Sequence, residues 1–297
     1  MNRKLLFVVK AFTAVLAMTL ITVSLFACVI KPVTPSESSS EPQSSPEGST
    51  PEESTPETSE PETEPAKEPV TLKIASYNIA NGFNFKRINA IGKDIKEQNL
   101  DIVGLQEVDQ FVSRSGNVDS MKLLSEASEL PYYTFFKAID LQGGEYGVGV
   151  LSRYPIVETE RTEIYSGTEE QRVLGHAVID VDGYMINFFV THLSFESKSL
   201  RDAQFATIAE KTAELDNFII TGDFNTSNFS EFAPIKNSDM VNNASHSINT
   251  FPSSTPTSSI DNIVFSKNNW FFESPSILLN QKSDHCMLYA TGTFDPN

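Results

Sequence analysis

Eight polar side chains in this 297-residue sequence are of the types that metal and phosphate chemistry uses: Asn78, Glu107, His192, Asp223, Asn225, Asp261, Asp284 and His285. Each falls where an apolar run that reads as a β-strand stops or is about to start, which is where scaffolds gather binding and catalytic groups. The clearest case is 217–225, NFIITGDFN, an apolar strand that runs through Gly222 into Asp223 and Asn225. Residues two apart on a strand share a face, so this carboxylate and carboxamide point the same way and make a small platform of hard oxygen donors. Oxygen donors suit Mg²⁺, Mn²⁺ or Ca²⁺ and a phosphoryl group. Asp and Asn are also common turn formers, so the weight of the motif comes from the other residues that share its pattern.

The elements needed to position them can be read in order. Residues 70–78, VTLKIASYN, read as a strand that ends on Asn78, and Asn81-Gly82 turns the chain. Ile88, Ile91 and Ile95 at helical spacing predict a helix over 87–98. The run 101–107, DIVGLQE, is a strand of the doubly buried kind that ends in Glu107. A second helix over 119–130 stops at Pro131, an aromatic stretch covers 132–137, and a short strand over 148–152 is closed by Pro155. Strands over 172–181 and 184–192 join at Asp182-Gly183, a strong hairpin signal, and the second finishes at His192. Ser199 is placed to cap a helix to about 215, with Phe205, Ile208, Ala209 and Thr212 on one stripe. After a Pro- and Ser-rich stretch over 226–259, the runs 259–266, 270–279 and 287–294 supply the last strands. Runs of strands with few helices between them predict two packed mixed β-sheets flanked by helices, an α/β sandwich.

Composition divides the chain in three. Arg3, Lys4 and Lys10 precede an apolar run from 11 to 30, the layout of a secretory signal. Within it LFAC, 25–28, resembles a lipobox whose Cys28 would carry lipid; an uncleaved signal anchor is the other reading, since twenty apolar residues just span a bilayer. Both tether residues 1–31 to a membrane with the bulk of the protein outside the cytoplasm. Residues 32–69 are Pro, Ser, Thr and Glu with almost nothing apolar, a solvated linker spanning roughly 35 Å as a flexible coil. Residues 70–297 are then enough for one core, and a monomer is expected. The net charge is −17: four bases and no acids up to 31, one Lys against ten Glu to 69, and −12 on the rest. An acidic domain disfavours sequence-independent contact with a polyanion, which depends on Lys and Arg displacing counterions. Only Cys28 and Cys286 are present, and with Cys28 lipidated no disulfide forms; Cys286 reads as a small buried apolar residue.

Seven segments together resemble the endonuclease/exonuclease/phosphatase superfamily: SYNIANG (76–82), LQEVD (105–109), YGVGVLSRYPI (146–156), VTHLS (190–194), TGDFN (221–225), SIDNIVFS (259–266) and SDHCML (283–288). The resemblance implies a DNase I-like four-layer α/β sandwich and a metal-dependent phosphoesterase. It implies Glu107 as main ligand of a Mg²⁺-like ion, with Asn78 and Asp284 completing the shell and Mn²⁺ or Ca²⁺ as alternatives. Asp223 and Asn225 would hold water and phosphorus in register, Asp261 would fix the His285 imidazole as it draws a proton from water, and His192 would donate to the phosphoryl oxygen or leaving group. Arg172 and Tyr146 could touch substrate, and Arg114 could shape the pocket. His176 and His246 match no motif and are read as structural. Two departures stand out. Ala80 stands where several nucleases of the family carry a second acid, which leaves one tight metal site and at most a weaker second one, and Met287 replaces the family's usual proline, which should loosen the last turn.

The expected substrate is a phosphoester, favoured as a phospholipid headgroup or small phosphodiester by the tether and the acidic domain. An extracellular nuclease on DNA or RNA is the alternative within the same chemistry. A surface lipoprotein that binds a ligand without catalysis is the alternative outside it.

Overall fold

Val70–Asn78 forms strand β1, and its side chains alternate between two different cores: Leu72 and Ile74 point one way, Ala75 and Tyr77 the other, all buried. The same alternation recurs in the second sheet, where Phe188, Val190 and Ile219 share the core of Ile74 while Phe189 and Ile220 face a third. A strand buried on both faces needs a layer on each side. The computed structural model, which describes residues 68–82 and 85–297, meets that need with four layers, helix–sheet–sheet–helix. The signal or anchor over 1–31, Cys28 and the linker up to 67 lie outside the described residues. All described residues fall in one compact unit within 62–297.

Along the chain, β1 leads to helix α1 (Phe85–Glu97), β2 (Ile102–Gln110), α2 (Ser120–Ser128), β3 (Tyr132–Leu141), β4 (Gly144–Ser152), β5 (Ile156–Ile164), β6 (Arg172–Val181), β7 (Tyr184–His192), α3 (Lys198–Thr212), β8 (Ile219–Asp223), β9 (Ser238–Met240), β10 (Asp261–Ser266), β11 (Trp270–Phe272), β12 (Ser276–Leu278) and β13 (Met287–Phe294). One sheet has the order β11-β13-β1-β2-β4-β3, with β12 also paired to β13; the other has the order β5-β6-β7-β8-β10-β9. Helices α1 and α2 cover the outer face of the first through Ile88, Ile91, Ile95, Met121 and Leu124. Helix α3 covers the second through Phe205 and Ile208. This is the α/β sandwich expected from the strand runs.

The differences from the sequence reading have local causes. Strand β5 is not signalled by periodicity, because it is an edge strand with charged, exposed side chains and little to bury. The expected strand over 270–279 is two short ones separated at Pro275, which has no N–H for the ladder. The cap of α3 is Ser197, whose side chain accepts from the Leu200 N–H, and not Ser199, which is the second residue of the helix. Strand β2 continues three residues beyond Glu107, through a bulge described below. Cys286 is buried and unpaired, as expected.

Gly104 of β2 packs directly against Thr221 of β8 across the two sheets: a Cβ on Gly104 would lie 1.8 Å from Thr221 Oγ1 and 2.9 Å from its Cβ. Gly104→Ala should therefore destabilise the domain by about 1–3 kcal/mol through overpacking, and adding Thr221→Ala should return part of the loss. Urea titration of the two variants checks this; a Gly104→Ala midpoint equal to wild type would show that the sheets can part at no cost.

Candidate active site

Strand pairing assembles half of the site without any loop. In the second sheet His192 of β7 pairs with Asp223 of β8, and Asp223 pairs with Asp261 of β10, so three functional side chains stand in one row across neighbouring strand ends. The first sheet supplies the other half. There Asn78 of β1 pairs with Gln106 of β2, and Glu107 follows. The register of β2 with β4 slips between Leu105 and Val108, so Gln106 and Glu107 together occupy one step of the partner strand, and Glu107 takes a left-handed φ of 56°. Left-handed backbone is unusual for a residue other than Gly, Asn or Asp. Bulges re-aim side chains next to sites, and this one turns Glu107 toward the cleft.

The turn over 280–286 brings Asp284 and His285. No proline holds it, but other bonds do. Ser283 Oγ donates to Asn78 O at 2.6 Å, Ser253 Oγ donates to Ser283 O at 2.7 Å, Cys286 N–H donates to Thr250 O at 2.7 Å, and Asn280 and Lys282 both reach Asp94 on α1. The loosening expected from Met287 in the proline's place is thus offset by a web of side-chain ties.

Asp223 is the hub. Its Oδ2 accepts from Asn78 Nδ2 at 3.0 Å and stands 3.5 Å from Nε2 of both His192 and His285, while its Oδ1 accepts from the Asn225 N–H at 3.0 Å. Behind it, Asp261 Oδ2 meets His285 Nδ1 at 2.9 Å, which leaves Nε2 as the ring nitrogen facing the cleft. Asn78 braces two carboxylates, donating to Glu107 Oε1 at 3.1 Å as well as to Asp223, and its oxygen accepts from the Ala80 N–H. What Asn78 could still offer a cation is the second lone pair of that oxygen. Asn225 donates to Leu193 O at 2.9 Å and lines the cleft.

A cleft of about 320 Å³ opens over this cluster, lined among others by Glu107, His192, Asp223, Asn225, Asp284 and His285. Of the residues expected to touch substrate, Tyr146 and Arg172 line it. Arg114 does not: its guanidinium makes a two-pronged pair with Asp109 at 2.8 Å per bond and lies over the Tyr146 ring, 5.6 Å from its centre. It can act on the cleft only through Tyr146. His176 stacks on Phe189 at 4.2 Å and bonds Asn187, and His246 lines a different cleft with Asp239 and Glu273, so neither joins the site. Lining residues with no strand-end signal are Glu170, Phe195, Phe251 and Ile260. For Glu170 the available signal was its position two residues before Arg172 in an extended segment, which puts both on one side.

The electrostatics show an excess of buried negative charge. Burial pushes the Glu107 carboxyl up from its usual range, more than the Asn78 hydrogen bond lowers it. Burial, then the neighbouring Asp261, raises Asp223 as well. Burial acts to lower the pKa of His285, but Asp261, Asp223 and Asp284 outweigh it and hold the imidazole well above its normal value. His192 moves the other way, driven far down by burial and then by Arg172 and His285, so it stays neutral and can offer a hydrogen bond. Asp261 Oδ1 is buried with no partner. Such a set fits a cation. Asp223, Asp261 and His285 have ligand atoms within 4.8 Å of one another, but Asp261 Oδ2 and His285 Nδ1 are bonded to each other and both Asp223 oxygens accept from Asn78 and Asn225. Glu107, whose carboxylate accepts a 3.1 Å bond from Asn78 and a 3.4 Å bond from Asn81, and Asp284, whose carboxylate accepts a 3.4 Å bond from Ser283, could hold a hard cation over that group.

Comparison with known proteins shows the family and the fold. The profile of the Endonuclease/Exonuclease/phosphatase family matches residues 75–285. A putative neutral sphingomyelinase of Caenorhabditis elegans is 30% identical over 166 residues, 47% of this chain and 35% of that protein, so the chain matches about a third of the relative's length. Among solved structures, an endonuclease/exonuclease/phosphatase family protein of Bacteroides thetaiotaomicron superposes with a TM-score of 0.63 at 20% identity, over 77% of this chain and 97% of that one. A mannosyl-6-phosphatase of the same species gives 0.60 at 19%, over 74% and 98%. These likenesses place the four-layer fold.

Proposed function

Since the chain belongs to the endonuclease/exonuclease/phosphatase family, we propose that it is a metal-dependent phosphoesterase acting on a phosphodiester of a lipid headgroup or small molecule. The observation that carries the reading is the convergence of Glu107, His192, Asp223, Asp284 and His285 on one cleft from both sheets. The sphingomyelinase name of the curated relative supports a lipid headgroup. A long polyanion is disfavoured, because Arg172 is the sole permanent cation among the described residues that line the cleft.

In this mechanism the charge that holds the His285 imidazole protonated is offset by a cation bound among the acids, so that Nε2 can take the proton of the attacking water, while Asp261 on Nδ1 fixes the tautomer and stabilises the imidazolium that forms. Water oxygen bonds to phosphorus, the ester P–O bond breaks, the departing alcohol oxygen takes a proton from solvent, and His285 returns the water's proton to solvent. Neutral His192 and Arg172 donate to phosphoryl oxygens as charge builds there. Asp223, held by Asn78 and Asn225, faces both imidazoles and keeps their ring nitrogens aligned. A divalent cation, Mg²⁺ by preference, when held by Glu107 and Asp284 supplies neutralisation of the clustered acids and Lewis-acid polarisation of the phosphate. The enzyme would work outside the cytoplasm, tethered through 1–31, an assignment that rests on the sequence alone.

The test is release of phosphocholine from sphingomyelin and of nitrophenol from bis(p-nitrophenyl) phosphate, beside nicking of plasmid DNA, each with Mg²⁺ and with EDTA. EDTA-sensitive turnover of the diesters with little nicking is expected. Nicking that outpaces diester turnover would reassign the protein to nucleic acid, and no EDTA-sensitive hydrolysis of any of them would leave a binding protein.

A further inference from the structure

Arg172 is the one guanidinium in the cleft, and it is not free. It is 4% exposed, and its Nη1 lies 3.0 Å from Glu170 Oε1, whereas its Nε is buried with no partner. Glu170 stands on the solvent side of the pair, its side chain 38% exposed, and lines the same cleft. Nothing in the proposed chemistry uses Glu170. It is neither in the Asp223 hub nor bonded to any side chain of it, and in a site that must hold phosphate it adds one more negative charge beside Glu107, Asp223 and Asp284.

We propose that Glu170 is a specificity-determining residue that spends one edge of Arg172, so that the cleft accepts a phosphodiester monoanion and rejects a phosphomonoester dianion. A terminal phosphate needs one more full positive contact than a diester does, since its third unesterified oxygen carries the additional charge. A guanidinium satisfies such a group best with two parallel bonds. With Nη1 taken by Glu170, Arg172 keeps only part of its fork, and an incoming dianion also meets the uncompensated Glu170 oxygen. A monoanion loses less on both counts. Arg172 lowers the pKa of both Glu107 and His192, which places its charge next to the groups expected to surround phosphorus. Glu170 is therefore a positioning residue acting through Arg172, and the inference rests on the phosphoester reading only in taking this cleft as the place where phosphate sits.

The test uses the full chain as wild type, Glu170→Gln and Glu170→Asp. Binding of inorganic phosphate and of dimethyl phosphate is measured by calorimetry at pH 8, where the first is mainly a dianion and the second a monoanion. Hydrolysis of p-nitrophenyl phosphate is compared with that of bis(p-nitrophenyl) phosphate. In Glu170→Gln the affinity for phosphate relative to dimethyl phosphate should rise about tenfold, the effect of one unit charge near a protein surface. The monoester-to-diester ratio of kcat/KM should rise with it, chiefly through a lower KM for the monoester. Glu170→Asp should stay closer to wild type than Glu170→Gln in both ratios. Equal ratios in wild type and Glu170→Gln overturn the proposal, as does a fall in both affinities alike, which would mark Glu170 as a purely structural support. If the binding ratio shifts while wild type hydrolyses no phosphoester, the charge filter stands and the hydrolase reading falls.

Discussion

Replacing His285 with alanine should lower kcat on a phosphodiester about a thousandfold, the usual worth of a positioned general base. The reason is geometric. His285 Nδ1 is committed to Asp261 at 2.9 Å, so Nε2 is the one nitrogen of this ring that faces the cleft, and no second imidazole is placed to replace it: His192 stands across Asp223, 3.5 Å from the same carboxylate oxygen. The same variant should also lose stability. Asp261 is fully buried and its second oxygen has no partner already, so deleting the imidazole leaves a buried carboxylate alone, a loss of roughly 3–5 kcal/mol. Adding Asp261→Asn to His285→Ala should recover much of that stability and none of the activity. Steady-state kinetics and urea melts of the single and double variants separate the two effects. A His285→Ala enzyme within tenfold of wild-type kcat would remove His285 from proton transfer.

Glu107→Gly should uncouple stability from activity. Glycine tolerates the left-handed φ of 56° that the bulge imposes, and relieving that conformation is worth about 1 kcal/mol for a residue with a Cβ. The substitution also removes a carboxyl that burial disfavours, while Asn78 keeps its bond to Asp223. Activity should nevertheless fall about a thousandfold, because a main oxygen donor for the cation is gone and several kcal/mol of charge stabilisation go with it. Glu107→Gln, which keeps the backbone conformation, should be as inactive without the gain in melting temperature. A Glu107→Gly variant that melts well below wild type would mean that its bonds from Asn78 and Asn81 outweigh the backbone conformation, and one that retains activity would mean the cation is held elsewhere.

The strands that carry the site were legible because burial on both faces writes near-continuous apolar runs, and polar residues at their ends interrupt those runs sharply. Residues 70–78 and 287–294 were read to the residue for this reason. What could not be read is register. That His192, Asp223 and Asp261 stand in one row depends on pairing between strands 31 and 38 positions apart, for which local periodicity carries no signal. The Glu107 bulge was invisible as well, since one additional residue leaves the apolar pattern of LQEVD intact. How Arg114 would shape the pocket was not legible either: the buried Asp109 claims its guanidinium and sets it over the Tyr146 ring, a pairing that only the fold brings about. Edge strand β5 and Glu170 were missed because exposed charged segments have no pattern to betray them.

Because one bank of the cleft belongs to each sheet, the pocket is a seam and not a cup carved in a single wall. The Gly104–Thr221 contact is then a gauge block for the chemistry: whatever thickens it spreads the two banks, widening the gap between Glu107 and Asp223 before any of the reacting groups has been altered.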